Sequence, residues 1–192
     1  DTLFNGGALS IEPGVVVKFR PQAYLTIFSN SLTALNGTAI DPIIFTSIKD
    51  DTAGGDTNWD ADATAPAPGD WATVSISSGN PGTTENPYLI ASYLTVRYGG
   101  GELTSSPVKD GRQSYSPTLK PALAVYSSAS SFPTPSVPFG SMLSHLTVEK
   151  SGDVGLATYL GIVNNLTVAS SSFVGNANYG VRRLLSESSR GE

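Results

Sequence analysis

Apolar and polar residues alternate along this chain in short runs of period two. Val15, Val17 and Phe19 alternate with Val16 and Lys18, Leu25 and Ile27 flank Thr26, and Leu32 opens the run Ser31-Leu32-Thr33-Ala34-Leu35. Ile43-Ile44-Phe45-Thr46-Ser47 is short and strongly β-prone, and Trp71-Ala72-Thr73-Val74-Ser75-Ile76-Ser77 alternates again. Gly, Pro and Asn punctuate these runs, which is the signature of strands. No window of a dozen residues carries a helical apolar stripe free of Gly or Pro. The pattern predicts an all-β chain.

Internal repetition selects the architecture. Ser92-Tyr93-Leu94-Thr95-Val96-Arg97-Tyr98, Ser144-His145-Leu146-Thr147-Val148-Glu149-Lys150 and Asn164-Asn165-Leu166-Thr167-Val168-Ala169-Ser170 align without gaps, with Tyr24-Leu25-Thr26-Ile27-Phe28 as a looser fourth copy. The last two full copies lie 20 residues apart. Asp153-Val154-Gly155-Leu156 and Asn178-Tyr179-Gly180-Val181 form a second repeating element, 25 residues apart. A unit of this size with two or three short strands suits a β-solenoid, in which each coil stacks on the next. Leu and Val of each Leu-Thr-Val triplet then point inward and Thr outward. Asn and Gly are expected at the corners, where left-handed backbone is needed. A β-sandwich is the rival, but it needs no fixed coil period and favours two-residue hairpins. The expected fold is a right-handed parallel β-helix of about seven coils, a single domain over 1–192. Insertions are expected at about 48–70, 78–87 and 99–121, besides a Pro-rich stretch from Phe132 to Phe139. Stacked at about 4.8 Å, the coils give a rod of about 35 Å.

Composition narrows the classes. Only 14% of the 192 residues are charged, which argues against helical bundles, and there is no Cys for a disulfide, thiolate nucleophile or thiolate zinc site. No apolar run approaches the roughly 20 residues of a membrane span, and no signal-peptide pattern is visible. The chain begins at Asp1 rather than Met, so it reads as a processed or excised piece. The net charge of −5 is a local feature. Asp50, Asp51, Asp56, Asp60, Asp62 and Asp70 fall in a segment without Lys or Arg, and the rest of the chain carries 10 acids against 11 bases. With no basic stripe, nucleic acid is excluded as a partner.

The run Ala8-Leu9-Ser10-Ile11-Glu12-Pro13-Gly14-Val15-Val16-Val17-Lys18-Phe19 resembles the opening of right-handed parallel β-helix modules in bacterial surface and secreted proteins. The resemblance continues through Leu32 to Thr38, Asp41 to Ser47, Gly69-Asp70-Trp71 and Val96-Arg97-Tyr98-Gly99-Gly100. It covers residues 8 to about 100 closely and the remainder as generic coils. Ala72 and Thr73 depart from it, since the family shows a small Gly pair after the Trp. The resemblance implies the fold and an extracellular or cell-surface setting; it does not single out an activity, because such modules occur in adhesins, stalks and enzyme-associated domains alike.

The acidic insertion is the sharpest chemical candidate. Asp56, Asn58, Asp60 and Asp62 place oxygen-bearing side chains at alternate positions, and Ca2+ takes six to eight hard oxygen ligands. Ala61 and Ala67 stand where an EF-hand loop has its Gly and its bidentate Glu, so this is no EF-hand. Asp70, Asp50 or Asp51 would complete the set, and Asp-rich insertions of the resembling family look like calcium loops. The expected role is structural, against the plainer reading of a solvated acidic loop.

Catalytic signals are thin. His145 is the only histidine and sits in a variable, polar slot of a coil, which suits a surface residue better than a Ser–His–Asp triad. Glu102, Glu149 and Asp153 could pair for glycoside hydrolysis, but nothing singles them out. Arg97 and Lys150 occupy outward slots where a β-helix polysaccharide lyase would carry its base. Trp59, Trp71, Tyr88, Tyr93 and Tyr98 could form a sugar platform, although Trp71 packing under the loop is the plainer reading. Trp59, Tyr93, Arg97 and Tyr98 are therefore the weak binding candidates, for a carbohydrate or a partner. Neither end carries an obvious cap, which predicts either a fragment of a longer rod or head-to-tail stacking of subunits into a filament. The expectation is a non-enzymatic, adhesive or fibre-forming module with a calcium-stabilised loop. The alternative is a polysaccharide-binding or polysaccharide-degrading β-helix.

Overall fold

The computed structural model describes residues 2–5, 9–29, 33–78, 89–102, 119–127, 140–160 and 165–185. Sixteen strands and no helix occur among them. Three parallel sheets wrap one core, each taking every third strand. The first sheet holds β1 (Thr2–Asn5), β4 (Leu25–Ser29), β7 (Val74–Ser78), β10 (Pro121–Ser127), β13 (Val154–Leu160) and β16 (Tyr179–Leu185). The second holds β2 (Leu9–Ile11), β5 (Thr33–Asn36), β8 (Leu89–Ser92), β11 (Gly140–Ser144) and β14 (Asn165–Ala169). The third holds β3 (Val16–Phe19), β6 (Ile43–Ser47), β9 (Leu94–Arg97), β12 (Thr147–Glu149) and β15 (Ser172–Val174). The chain is a parallel β-helix. Its described strands make five full turns and open a sixth.

The register explains the core. Leu25, Val74, Leu123, Leu156 and Val181 stack in successive layers of the first sheet. Ile11, Leu35, Ala91, Leu143 and Val168 do so in the second. Val17, Phe45, Val96, Val148 and Phe173 follow in the third. Period-two alternation sends these columns inward, so each layer buries the apolar face of the one below. Trp71 lies flat on Phe19, with ring centroids 4.3 Å apart and planes at 16°, and donates its indole N–H to the Arg97 carbonyl at 3.0 Å. Gly99 makes room for it, because a Cβ there would fall 2.9 Å from the indole and from Ala122.

Two expectations about the repeat need correction. Thr95-Val96 and Thr147-Val148 do pair on the third sheet, but Leu166-Thr167-Val168 lies on β14 of the second, opposite Ser141, Met142 and Leu143. The looser copy at Leu25-Thr26-Ile27 belongs to the first. A Leu-Thr-Val triplet therefore specifies a half-buried strand, not a position in the coil. The true partner of Val148 is Phe173, 25 residues on, the interval at which Val154 meets Tyr179. Glycine does hold left-handed backbone at some corners, with φ of 78° at Gly14 and 81° at Gly100, but larger residues take other corner positions. Tyr93, His145 and Ser170 hold φ of 47°, 52° and 49° between the second and third sheets. Tyr98, Lys150 and Gly175 hold 65°, 53° and 66° at the next corner. Left-handed backbone costs a non-glycine residue about 1–2 kcal/mol. Stacking over-determines it here: the amides of Tyr93 and His145 bond to Ser144 and Ala169 in the adjacent coil, and the Lys150 amide to Val174.

One inward column changes character. Ile27, Ile76 and Val125 are followed by Thr158 and then Arg183. At this end Val168, Val174 and Val181 are exposed. The insertion at 48–70 is fully described, whereas those at 78–87 and 99–121 and the Pro-rich stretch lie largely outside the described residues.

Candidate functional site

The chain leaves the third sheet at Ser47, and residues 48–70 fold back over that sheet's outer flank. With Val17, Phe45, Val96 and Val148 inward, Lys18, Thr46, Arg97 and Glu149 must face out. Arg97 is the anchor. Its guanidinium meets Asp50 Oδ2 at 2.6 Å and donates to Thr52 Oγ1 at 2.9 Å and Thr46 Oγ1 at 3.3 Å, with Glu149 3.9 Å away. Asp50 is fully buried and accepts further bonds from the hydroxyls of Thr46 and Thr52. Burial pushes its carboxyl up, but those hydroxyls and Arg97 outweigh it and hold the group below the usual carboxylate range. Lys18 holds the loop two strands away, donating to the Gly55 carbonyl, with its ammonium 4.0 Å from Asp51 Oδ1.

The expected ligands separate into two groups. Asp56 and Asp60 converge with Asp51, one carboxylate oxygen of each lying within 4.8 Å of the others. Asn58 stands beside them, donating to Asp60 Oδ2 at 2.7 Å. Asp62 is exposed outside the cluster. Asp70 sits at the base of the loop as a brace, taking bonds from Ser47 Oγ at 2.8 Å, the Ala67 amide at 3.0 Å and Lys49 Nζ at 2.8 Å. Asp51, one of the three carboxylates expected to complete the set, joins Asp56 and Asp60, and Asp62 does not. Trp59 and Ala61 hold φ of 61° and 53°, and the amides of Trp59 and Ala61 point at the Asp56 carboxylate from 2.7 and 2.9 Å.

The electrostatics of the cluster are uneven. Desolvation raises the Asp51 carboxyl, Asp56, Asp60 and Asp62 raise it further, and Lys18 offsets part of this. Desolvation also acts on Asp56, but the backbone amides of Ala61, Trp59, Asp60 and Asn58 pull its pKa down. Asp51 Oδ1, Asn58 Oδ1 and Asp60 Oδ1 are shielded from water and meet no hydrogen-bond donor. Buried acceptors without a donor are uncommon and costly. Oxygens bound to one Ca2+ at 2.3–2.6 Å lie up to about 5 Å apart. The observed spacing falls within that limit.

The remaining candidates occupy separate places. Trp59 is 91% exposed on the loop. Tyr93 stacks on the exposed His145, centroids 4.3 Å apart, at the corner between the second and third sheets. Tyr98 is buried at the following corner, its ring centroid 5.8 Å from the Arg97 guanidinium and 5.2 Å from Lys150 Nζ, which donates to the Tyr98 hydroxyl at 3.2 Å. Tyr88 lies outside the described residues. The three carboxylates considered for hydrolysis all have partners. Glu102 pairs with Lys120 at 2.7 Å, Glu149 faces Arg97, and Asp153 accepts from the Lys120 amide at 2.7 Å and from Asn178. Comparisons with protein-family models, with characterised proteins and with solved structures find no match to this chain.

Proposed function

We propose that this chain is a non-enzymatic structural module of a secreted or cell-surface protein, a β-helix whose flank is pinned by a Ca2+ ion in the 48–70 loop. The observation that carries the reading is the trio of buried, donor-free oxygens on Asp51, Asn58 and Asp60, beside the carboxylate of Asp56. A hard divalent cation answers both the missing donors and the mutual repulsion of the acids. Arg97 is held by Asp50, which weighs against its serving as the base of a polysaccharide-cleaving site. The test is a thermal melt. At Ca2+ a hundredfold above its Kd the folded state gains about 2.7 kcal/mol, a rise of about 5–10 °C for a chain of this size. EDTA should abolish the rise, and Asp60→Asn should remove most of it. An identical melt with Ca2+ and with EDTA sinks the reading.

A second reading, association through the ends, is favoured by the exposed Val168, Val174 and Val181 beside the edges of β14, β15 and β16, which no strand among the described residues pairs. Arg183 restricts it. A coil stacked in register would bury a guanidinium at an apolar column, at a cost of several kcal/mol, unless it supplied a carboxylate. Sedimentation velocity over a hundredfold concentration range should show growth that Arg183→Leu strengthens. A monomer throughout, in both proteins, excludes association.

A further inference from the structure

Asn36 and Gly37, at the end of β5, stand in opposite surroundings. Asn36 pairs with Ser92 of β8 and is exposed. Gly37 is buried in the corner that follows, and a Cβ there would fall 2.5 Å from the Tyr93 carbonyl oxygen and 2.8 Å from the Ile43 nitrogen. Only glycine allows so close an approach of neighbouring backbones. Its amide donates to the Ser92 carbonyl at 2.9 Å, and its own carbonyl accepts from Ser92 Oγ at 3.3 Å. The next residues are tied as well. The Thr38 amide donates to the Asp41 carbonyl at 3.0 Å, and Thr38 Oγ1 accepts from the Asp41 amide at 2.9 Å.

An asparagine followed by glycine carries a reaction of its own. The amide nitrogen of the second residue attacks Cγ of the first; the new N–Cγ bond forms as the Cγ–Nδ2 bond breaks, and ammonia leaves. Water then opens the resulting succinimide ring to aspartate or isoaspartate. No other reactant is needed, and nothing is oxidised or reduced. The ring closes only if the Gly37 nitrogen turns away from the Ser92 carbonyl and onto the Asn36 side chain. The coil forbids that turn while β5 and β8 are paired. We propose that Asn36 is a self-modification site which folding holds closed and unfolding opens, so that a chain left unfolded is marked covalently and cannot rebuild this corner. Isoaspartate lengthens the main chain by one carbon atom just before Gly37, where the surrounding backbone leaves no room.

The experiment holds the intact chain in mildly alkaline buffer, with and without guanidinium chloride, and reads residue 36 by peptide mass mapping with isoaspartate detection. Conversion is expected to be at least about tenfold slower in buffer than in denaturant, because it must wait for local opening of the coil. Equal rates in the two overturn the protection. The chain's other Asn-Gly pair, Asn5-Gly6, is read in the same digest. In denaturant the two pairs should convert alike, and an inert Asn36 beside a converted Asn5 overturns the site. Refolding by dilution tests the consequence. After long denaturation the parent should recover less native far-UV circular dichroism than Asn36→Gln, whose larger ring closes far more slowly. Equal recovery overturns the block to refolding. If Asn36→Gln does not fold, the parent alone decides: its refolded fraction should be depleted of isoaspartate at 36, and equal content in the refolded and unfolded fractions overturns the block.

Discussion

Replacing Trp71 by Ala is expected to destabilise the protein by about 3–5 kcal/mol, the range for deleting a large buried aromatic side chain. Trp71 is fully buried, stacked on Phe19, and it satisfies the Arg97 carbonyl. The substitution removes the ring, leaves a cavity between Phe19 and Ala122, and orphans that carbonyl. Gly99 lies against the indole too closely for the cavity to collapse without a shift of backbone. Trp71→Phe should cost clearly less, because it retains most of the stacking area and loses chiefly the hydrogen bond. Urea unfolding measures both. Equal midpoints for the parent and Trp71→Ala would show that the ring does not organise this layer.

The Arg97–Asp50 pair is the other large effect. Removing the guanidinium alone leaves a carboxylate with no exposed surface and no cation, which costs about 3–5 kcal/mol. The same pair makes stability depend on pH. The folded Asp50 carboxyl ionises below its ordinary value of about 3.9, so the unfolded chain binds its proton first as acid is added. Its contribution is therefore complete above pH about 4 and is lost as pH falls through the folded-state pKa. Urea midpoints between pH 7 and pH 2 should fall in that acid range for the parent chain. Asp50→Asn should be less stable at pH 7 and should lack this component of the fall. Parallel curves for the two would remove Asp50 from the acid response.

Much of the fold is legible in the amino-acid order, because strand alternation is a local property. Ile43–Ser47 coincides with β6, and the alternating runs at Val15–Phe19 and Leu25–Ile27 become β3 and β4. Trp71 to Thr73 precede β7 rather than belonging to it, since Trp71 turns into the core to meet Phe19. The register was harder to see. Leu166-Thr167-Val168 and Leu146-Thr147-Val148 are alike because both alternate, yet they occupy different sheets. The weaker match of Asp153-Val154-Gly155-Leu156 with Asn178-Tyr179-Gly180-Val181 carries the true coil interval, for it includes the corner as well as the strand.

The cluster was legible only in part. An alternate spacing of oxygen-bearing residues finds Asp56, Asn58 and Asp60. It cannot show that Asp50 turns to a guanidinium far along the chain while Asp51 turns the other way. Nor could composition place Tyr93, His145 and Lys150 in left-handed corners, since contacts between neighbouring coils impose that conformation. A search for residues facing Lys18 and Arg97 across the outer flank would have singled out Asp50 and Asp51 once the strands were aligned.

The bond between Asp153 and Asn178 joins two equivalent points of consecutive turns, and each side chain sits just before an inward strand. Duplicating residues 154–178 would set Asn against Asn at the new join, and because an amide side chain both donates and accepts, the ladder could continue from turn to turn. Length in such a molecule is thus an integer variable: a rod can grow by whole storeys of about 4.8 Å without any existing storey being rebuilt.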